Sequence, residues 1–453
     1  MLRTRHTAEV TEILTSADAD DRARRVAGGL ARRGLRTGDR VALVCSSGAD
    51  MLCAILGSLR SGIVPVLTHA ALLPAERAAL LDDADPALVV DDVLLAELVD
   101  STPVEIALWP LARPMHYTSG TTGRAKGVWS GVLDESDAAA LLDEEIDLWQ
   151  FTADDLHLVC SPLYHSVSIR FSAATLAVGG TVILPGPFDA AVVARTIAEL
   201  APNTTFMVPS HLQRLFALGE QSLPHLGNFR LVAHAGAACP ETLKRRAIDA
   251  FGAERLWEFY GSTEGQFTAC PATEWLERPG TVGRARRGRF LSVDDDGTIW
   301  CDVPNWARWE YWRDPERTAL AWRPPARPES FGAFTVRDLG RIDDDRYLYL
   351  DGRRDDLIIT GGVNVYPAEI ESVLARADGV ASVAVFGVDD EHWGQRVCAA
   401  VIGTATPSSL DAHARAHLAP HKRPKQYFMV DELPHTATGK LRRTALPALL
   451  GLE

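Results

Sequence analysis

Apolar and polar positions along the first ninety residues switch between two periods. Ala23, Val26, Ala27, Leu30 and Ala31 recur at helical spacing, which predicts an amphipathic helix over about 20–34 closed by Gly34. Arg40-Val41-Ala42-Leu43-Val44-Cys45 then runs apolar almost without a break, as a strand buried on both faces does. A helix around 51–59, a strand at 64–67, a helix over about 74–81 and a strand at 88–90 repeat the cycle. This alternation predicts an α/β domain with a mostly parallel sheet. Between Asp91 and Met115 no period is evident, and a brief irregular connection is expected.

Further along, the runs 155–160, 181–184, 204–208, 230–234 and 255–259 read as five more strands separated by helical stretches. The most apolar region, about 173–184, is too short to span a bilayer and carries Thr and Gly. It reads as a buried helix running into a strand. From about 290 to 352 the runs shorten and fill with Trp, Tyr, Asp and Gly, which suggests a small antiparallel β region. Asp351-Gly352-Arg353-Arg354-Asp355-Asp356 is charged and turn-prone and marks a boundary. The division expected is 1–354 and 355–453. The second part is a small α+β domain with strands at 357–359, 380–386 and 397–401 and a helix from about Ala368.

Composition narrows the class. At 453 residues the chain has length for at least two domains, and 47% apolar with 23% charged residues fits a globular protein. A formal charge of −14 argues against nucleic acid or an anionic membrane as partner, so a site for an anionic substrate must be locally basic. None of the seven cysteines forms a CxxC pair, which suggests neither a disulfide framework nor a zinc site and fits a reducing cytoplasm. Met1-Leu2-Arg3-Thr4-Arg5-His6 leads into no apolar core, so no signal peptide is read.

The candidate chemistry starts at Thr118-Ser119-Gly120-Thr121-Thr122-Gly123-Arg124-Ala125-Lys126. Its glycines let backbone approach a ligand, its N–H groups and hydroxyls can cradle phosphate oxygens, and Lys126 adds a positive charge. Read alone, such a Ser/Thr/Gly cluster is more often a polar hairpin turn with a solvated lysine. Downstream, Phe259-Tyr260-Gly261-Ser262-Thr263-Glu264-Gly265 and Ala235-Gly236-Ala237-Ala238 each follow a predicted strand, where ligands bind in open α/β sheets. Pro162-Leu163-Tyr164-His165 follows another, and Thr438-Gly439-Lys440 lies near the end of the chain.

Together, in this order, these segments resemble the adenylate-forming superfamily of acyl-CoA synthetases, peptide-synthetase adenylation domains and luciferases. The resemblance covers nearly the whole chain. It implies a large α/β N-terminal domain and a small mobile C-terminal cap, with ATP and Mg²⁺ consumed to activate an acid as its AMP anhydride. Thr118, Ser119, Gly120, Thr121, Thr122, Gly123 and Lys126 would hold the β- and γ-phosphates. Gly236, Ala237, Tyr260, Gly261 and Ser262 would border the adenine, and Thr263 the α-phosphate. Glu264 would hold the metal, Asp338 and Arg353 the ribose, and Lys440 the reacting oxygens. Arg337 stands where the family has glycine, a departure beside Asp338.

By the same resemblance His165, Ser166, Val208, His234, Ala235, Ala237 and Ser262 border the acid, and Asp355 is the hinge. Gly361 and Gly362 line the path of the acceptor, CoA or a carrier-protein thiol, although Ile359 replaces a common lysine. Two other readings share the motifs. One is a diazotase-like enzyme that adenylates nitrite for transfer to an aryl amine, suggested by Lys126-Gly127-Val128-Trp129-Ser130-Gly131. The other is a non-catalytic nucleotide-binding homologue, against which both Glu264 and Lys440 speak.

Overall fold

The computed structural model describes residues 11–68, 72–118, 126–223, 225–353, 356–360, 363–391, 393–435 and 441–452. By its contacts the chain divides into Met1–Phe290 with Cys301–Phe334, and Leu291–Trp300 with Thr335–Glu453.

Two large sheets and a smaller antiparallel one make up the first unit among the described residues. One large sheet has, among the described residues, six strands in the order Glu310–Tyr311, Lys126–Trp129, Met115–Thr118, Val64–Leu67, Arg40–Leu43 and Leu88–Val90. The last four run parallel, with Val41 between Pro65 and Leu88, as the alternation predicted. The helix Ala49–Arg60 is apolar on every side and buries Met51, Leu52, Cys53, Ala54, Ile55 and Leu56, so it is a core element and not a surface helix. The helix Ser16–Arg32 begins earlier than its apolar period suggests, because the Thr15 side chain caps the Asp18 N–H. The 91–115 stretch is not wholly irregular. A helix spans Asp92–Val99, capped by Asp91 on the Leu94 N–H, and buries Leu95 and Leu98.

The other large sheet has eight strands, among the described residues. The order is Glu12–Thr15, Thr181–Leu184, Leu156–Val159, Thr204–Met207, Leu231–His234, Leu256–Gly261, Gln266–Pro271 and Arg284–Ala285. The five from Thr181–Leu184 to Leu256–Gly261 are parallel. The apolar region read as helix into strand is the helix Ser166–Ala177 followed by Thr181–Leu184. The expected antiparallel texture appears in Trp322–Arg323 against Gly332–Phe334 and in Glu310–Tyr311 against Lys126–Trp129.

The second unit holds a hairpin of Asp338–Ile342 with Leu348–Arg353 and a sheet of five strands among the described residues. Val380–Asp390 and Gly394–Gly403 form its long antiparallel pair, and Gln426–Met429 adds in parallel. The helices Pro367–Leu374 and Pro407–His417 supply Ile370, Leu374, Leu410 and Ala414 to its core. Among the described residues no helix is long and apolar enough to cross a membrane.

Candidate active site

Parallel neighbours end at one edge of a sheet. Leu156–Val159, Thr204–Met207, Leu231–His234 and Leu256–Gly261 are consecutive neighbours, so the segments after them converge. Those segments carry Pro162 to Ser166, Val208, Ala235 to Ala237, and Ser262 to Gly265. Gly236 sits at φ +90°, a conformation that suits glycine, and a Cβ there would lie 3.4 Å from Val208 Cγ1. Gly236 and Ala237 are exposed at this edge, whereas Ala235 and His234 are buried. Burial, then the charge of Lys244, lowers His234 well below the usual histidine range, so its ring is held neutral.

The Tyr260–Gly265 segment is a turn with a bulge at Tyr260/Gly261. The Ser262 N–H donates to the Gly265 carbonyl at 2.8 Å, and Gln266 Nε2 to the Ser262 carbonyl at 3.3 Å. Tyr260 is buried, with its ring 4.7 Å from that of Phe267. Glu264 is 8% exposed, and its Oε1 accepts from the Tyr311 hydroxyl at 2.9 Å. Burial and the neighbouring Glu264 carboxylate push the Tyr311 phenol up, so it stays a donor. The ammonium of Lys126 lies 5.0 Å from the centre of the Tyr311 ring. Lys126 closes a hairpin whose backbone register pairs it with Thr118. Residues 119–125 of the expected phosphate loop, with Ser119, Gly120, Thr121, Thr122 and Gly123, lie outside the described residues.

Tyr311 therefore links the lysine at the base of that loop to the motif glutamate. Sequence reading missed it. It lies 47 positions from Glu264 in a stretch legible only as antiparallel, and it arrives through strand pairing that no local motif signals. His116 was also missed as a site residue. It is buried, its Nδ1 is 3.1 Å from the Tyr164 carbonyl, and burial, with help from His165 and Arg113, lowers it to about 3. His165 is partly exposed at the start of the helix Ser166–Ala177, its ring 4.7 Å from that of Tyr164.

Glu264 is a single buried carboxylate, and among the described residues no cluster of three or more His, Cys, Asp or Glu could hold a metal alone. Such a donor set fits Mg²⁺, which keeps waters and phosphate oxygens and takes one or two carboxylates from a protein.

In the second unit the backbone register makes Asp338 and Arg353 direct cross-strand partners. Arg337 does occupy a glycine-like conformation, φ +66°, and its N–H donates to Thr335 Oγ1 at 2.9 Å. Asp355, Gly361, Gly362 and Lys440 lie outside the described residues.

Residues 4–109 and 114–301 match the family of AMP-binding enzymes, and residues 369–440 match the AMP-binding enzyme C-terminal domain. The chain belongs to the AMP-binding enzyme family, whose members form adenylates at the expense of ATP with Mg²⁺; it is an AMP-forming ligase. It is 31% identical to the 2-succinylbenzoate–CoA ligase of Geobacillus sp. (strain WCH70), over 93% of this chain and 89% of that protein. It is 34% identical to the indoleacetate–CoA ligase of Aromatoleum aromaticum over 72% of this chain, spanning 65% of that protein. Among solved structures, ATP-bound MatB from Rhodopseudomonas palustris superposes with a TM-score of 0.81 at 29% identity, covering 96% of this chain and 93% of that one. These relatives give no support to the nitrite-dependent or non-catalytic readings.

Proposed function

We propose that the chain activates a small carboxylic acid as its acyl-AMP and passes the acyl group to CoA. The observation that carries this is the set Lys126, Tyr311 and Glu264, gathered beside the edge where four parallel strands end. The relatives named as CoA ligases support the acceptor.

A carboxylate oxygen attacks the α-phosphorus in line, the new O–P bond forms, and the bond to the β-phosphate oxygen breaks, releasing pyrophosphate. Catalysis of this kind is positioning and charge neutralisation. Thr118 to Lys126 hold the β- and γ-phosphates, Thr263 the α-phosphate, Tyr260 and Gly236 the adenine, and Asp338 and Arg353 the ribose. Glu264, oriented by the Tyr311 hydroxyl, would hold the Mg²⁺ that comes with the triphosphate, and that ion would supply positive charge to the leaving pyrophosphate. Lys440 meets the negative charge that grows on the reacting oxygens, where a preplaced cation is most effective. A thiolate then attacks the acyl carbon and AMP leaves. Residues 1–354 and 355–453 act as the two working lobes, with Asp355 as pivot and Gly361-Gly362 beside the incoming thiol. With ATP and CoA as co-substrates, the reaction belongs in the cytoplasm.

Replacing Lys440 with Ala is expected to lower ATP–pyrophosphate exchange by at least a hundredfold while leaving ATP binding in place. Exchange near the wild-type rate in that variant would remove Lys440 from the reaction.

A further inference from the structure

A cavity of about 100 Å³ lies inside the first unit, against the motif residues. Ser166, the neighbour of His165, and Gly265, the neighbour of Glu264, both line it. For scale, an apolar cavity of ~150 Å³ admits a benzene ring. Much of this one is apolar, with His116, Ser166 and Gln266 at its wall, and its charged lining is Arg113, Arg170 and Arg289 with Glu144 and Glu145.

The charges do not balance. Arg170 grips Glu145 through Nη2, at 2.7 Å to Oε1 and 2.8 Å to Oε2. Arg286 stands behind the wall, 1% exposed, with Nη2 2.8 Å from Glu145 Oε1 and Nε 2.9 Å from Glu144 Oε1. Arg289, 4% exposed, also binds Glu144. These three guanidiniums already outnumber the two carboxylates, and Arg113 adds a fourth. Arg113 has no carboxylate within ion-pair reach among the described residues, only a 3.5 Å contact from Nη2 to the Thr263 carbonyl. Burial, then repulsion from Arg170 and Arg289, lowers Arg113 to about 10, so its environment disfavours the charge it carries. Arg170 Nη1 and Arg289 Nε are buried without a hydrogen-bond partner among the described residues.

A uniform ion-pair network would not leave two positive charges and two buried N–H donors unmatched, because an unpaired buried charge is costly. An anion in the cavity would match them, and arginine forks suit the planar oxygens of an oxyanion.

Resting on the proposed adenylation, we infer that this cavity selects a compact oxyanion: either the second carboxylate of a small dicarboxylic acid or a small inorganic oxyanion, and not an aryl or long aliphatic tail. The test is a panel of malonate, succinate, nitrite, benzoate and hexanoate, each offered with ATP and Mg²⁺ to the full chain, with pyrophosphate release as the readout. Malonate or succinate leading identifies the dicarboxylate source, and nitrite leading the inorganic one. At least one of these is expected to exceed benzoate and hexanoate by a hundredfold or more in kcat/KM. Arg113→Gln should raise the KM of the leading acid at least tenfold, and Arg113→Lys should recover part of that loss. In parallel, thermal unfolding without ATP should show the wild type stabilised by the leading anion and Arg113→Gln not. Preference for benzoate or hexanoate, or an Arg113→Gln variant that unfolds earlier yet keeps the wild-type preference, would overturn the inference and leave adenylation standing. Should no acid release pyrophosphate, adenylation fails, and stabilisation of the wild type by malonate or nitrite still decides the cavity.

Discussion

Glu264 is a buried carboxylate that accepts a hydrogen bond from a neutral phenol, and in the proposed mechanism that pairing sets how the metal ligand is held. A hydrogen bond to a charged group contributes about 1.5–3 kcal/mol. Tyr311→Phe is therefore expected to reduce kcat/KM for MgATP by roughly ten- to a hundredfold, with a matching rise in the Mg²⁺ concentration needed for half-maximal rate. Thermal unfolding of the variant should change little by comparison. A rate and Mg²⁺ dependence equal to wild type would show that Tyr311 does not position Glu264. The contrast between these two residues shows what a sequence makes legible. Glu264 stands in a contiguous motif whose spacing carries its chemistry. Tyr311 acts on it from a remote strand, and only the antiparallel pairing of Tyr311 with Val128 brings it there. Arg113 and Arg170 are illegible for the same reason, being gathered from separate segments around one cavity.

At the scale of elements, the parallel strands were the most readable feature, because both faces are buried and the apolar runs are nearly unbroken. The helix Asp92–Val99 escaped because it is short. Its signals were present in Asp91, able to cap Leu94, and in Leu95 and Leu98 at helical spacing. The edge strand Glu12–Thr15 was equally invisible, since it has no period of its own and is fixed by pairing with Thr181–Leu184. One element pair bears directly on the site. The helix Glu241–Phe251 follows the Ala235–Ala238 turn and is tied to the strand Leu256–Gly261 by Lys244 Nζ, 2.6 Å from Glu258 Oε2. Lys244 is 1% exposed, so removing it strands a buried carboxylate. Lys244→Ala is expected to cost about 3–5 kcal/mol, whereas Lys244→Met with Glu258→Leu should restore most of it. Urea denaturation of the three proteins checks this. A loss below about 1 kcal/mol in the single variant, as for an exposed pair, would contradict the reading.

For the whole molecule, the buried histidines give folding a direction in pH. His116 and His157 are lowered to about 3 and His234 well below its ordinary value, each chiefly by burial. They are neutral when folded, while in the unfolded chain they take up protons near pH 6.5. The unfolded state thus binds more protons below that pH, so this stability is fully present above about pH 6.5 and falls on acidification. Each contributes a slope of at most about 1.4 kcal/mol per pH unit. Urea denaturation at pH 7 and pH 5 should show the loss, and His157→Phe should flatten it; equal stability at the two values would contradict it.

The central claim is that an oxygen of the acid attacks the α-phosphorus of ATP. It is tested most directly by turning over an ¹⁸O-carboxylate acid with ATP and CoA and weighing the nucleotide product. AMP carrying one ¹⁸O is the expected result, since the acyl carbon loses that oxygen when the thiol displaces AMP. Unlabelled AMP, or ADP with the label in phosphate, would contradict it.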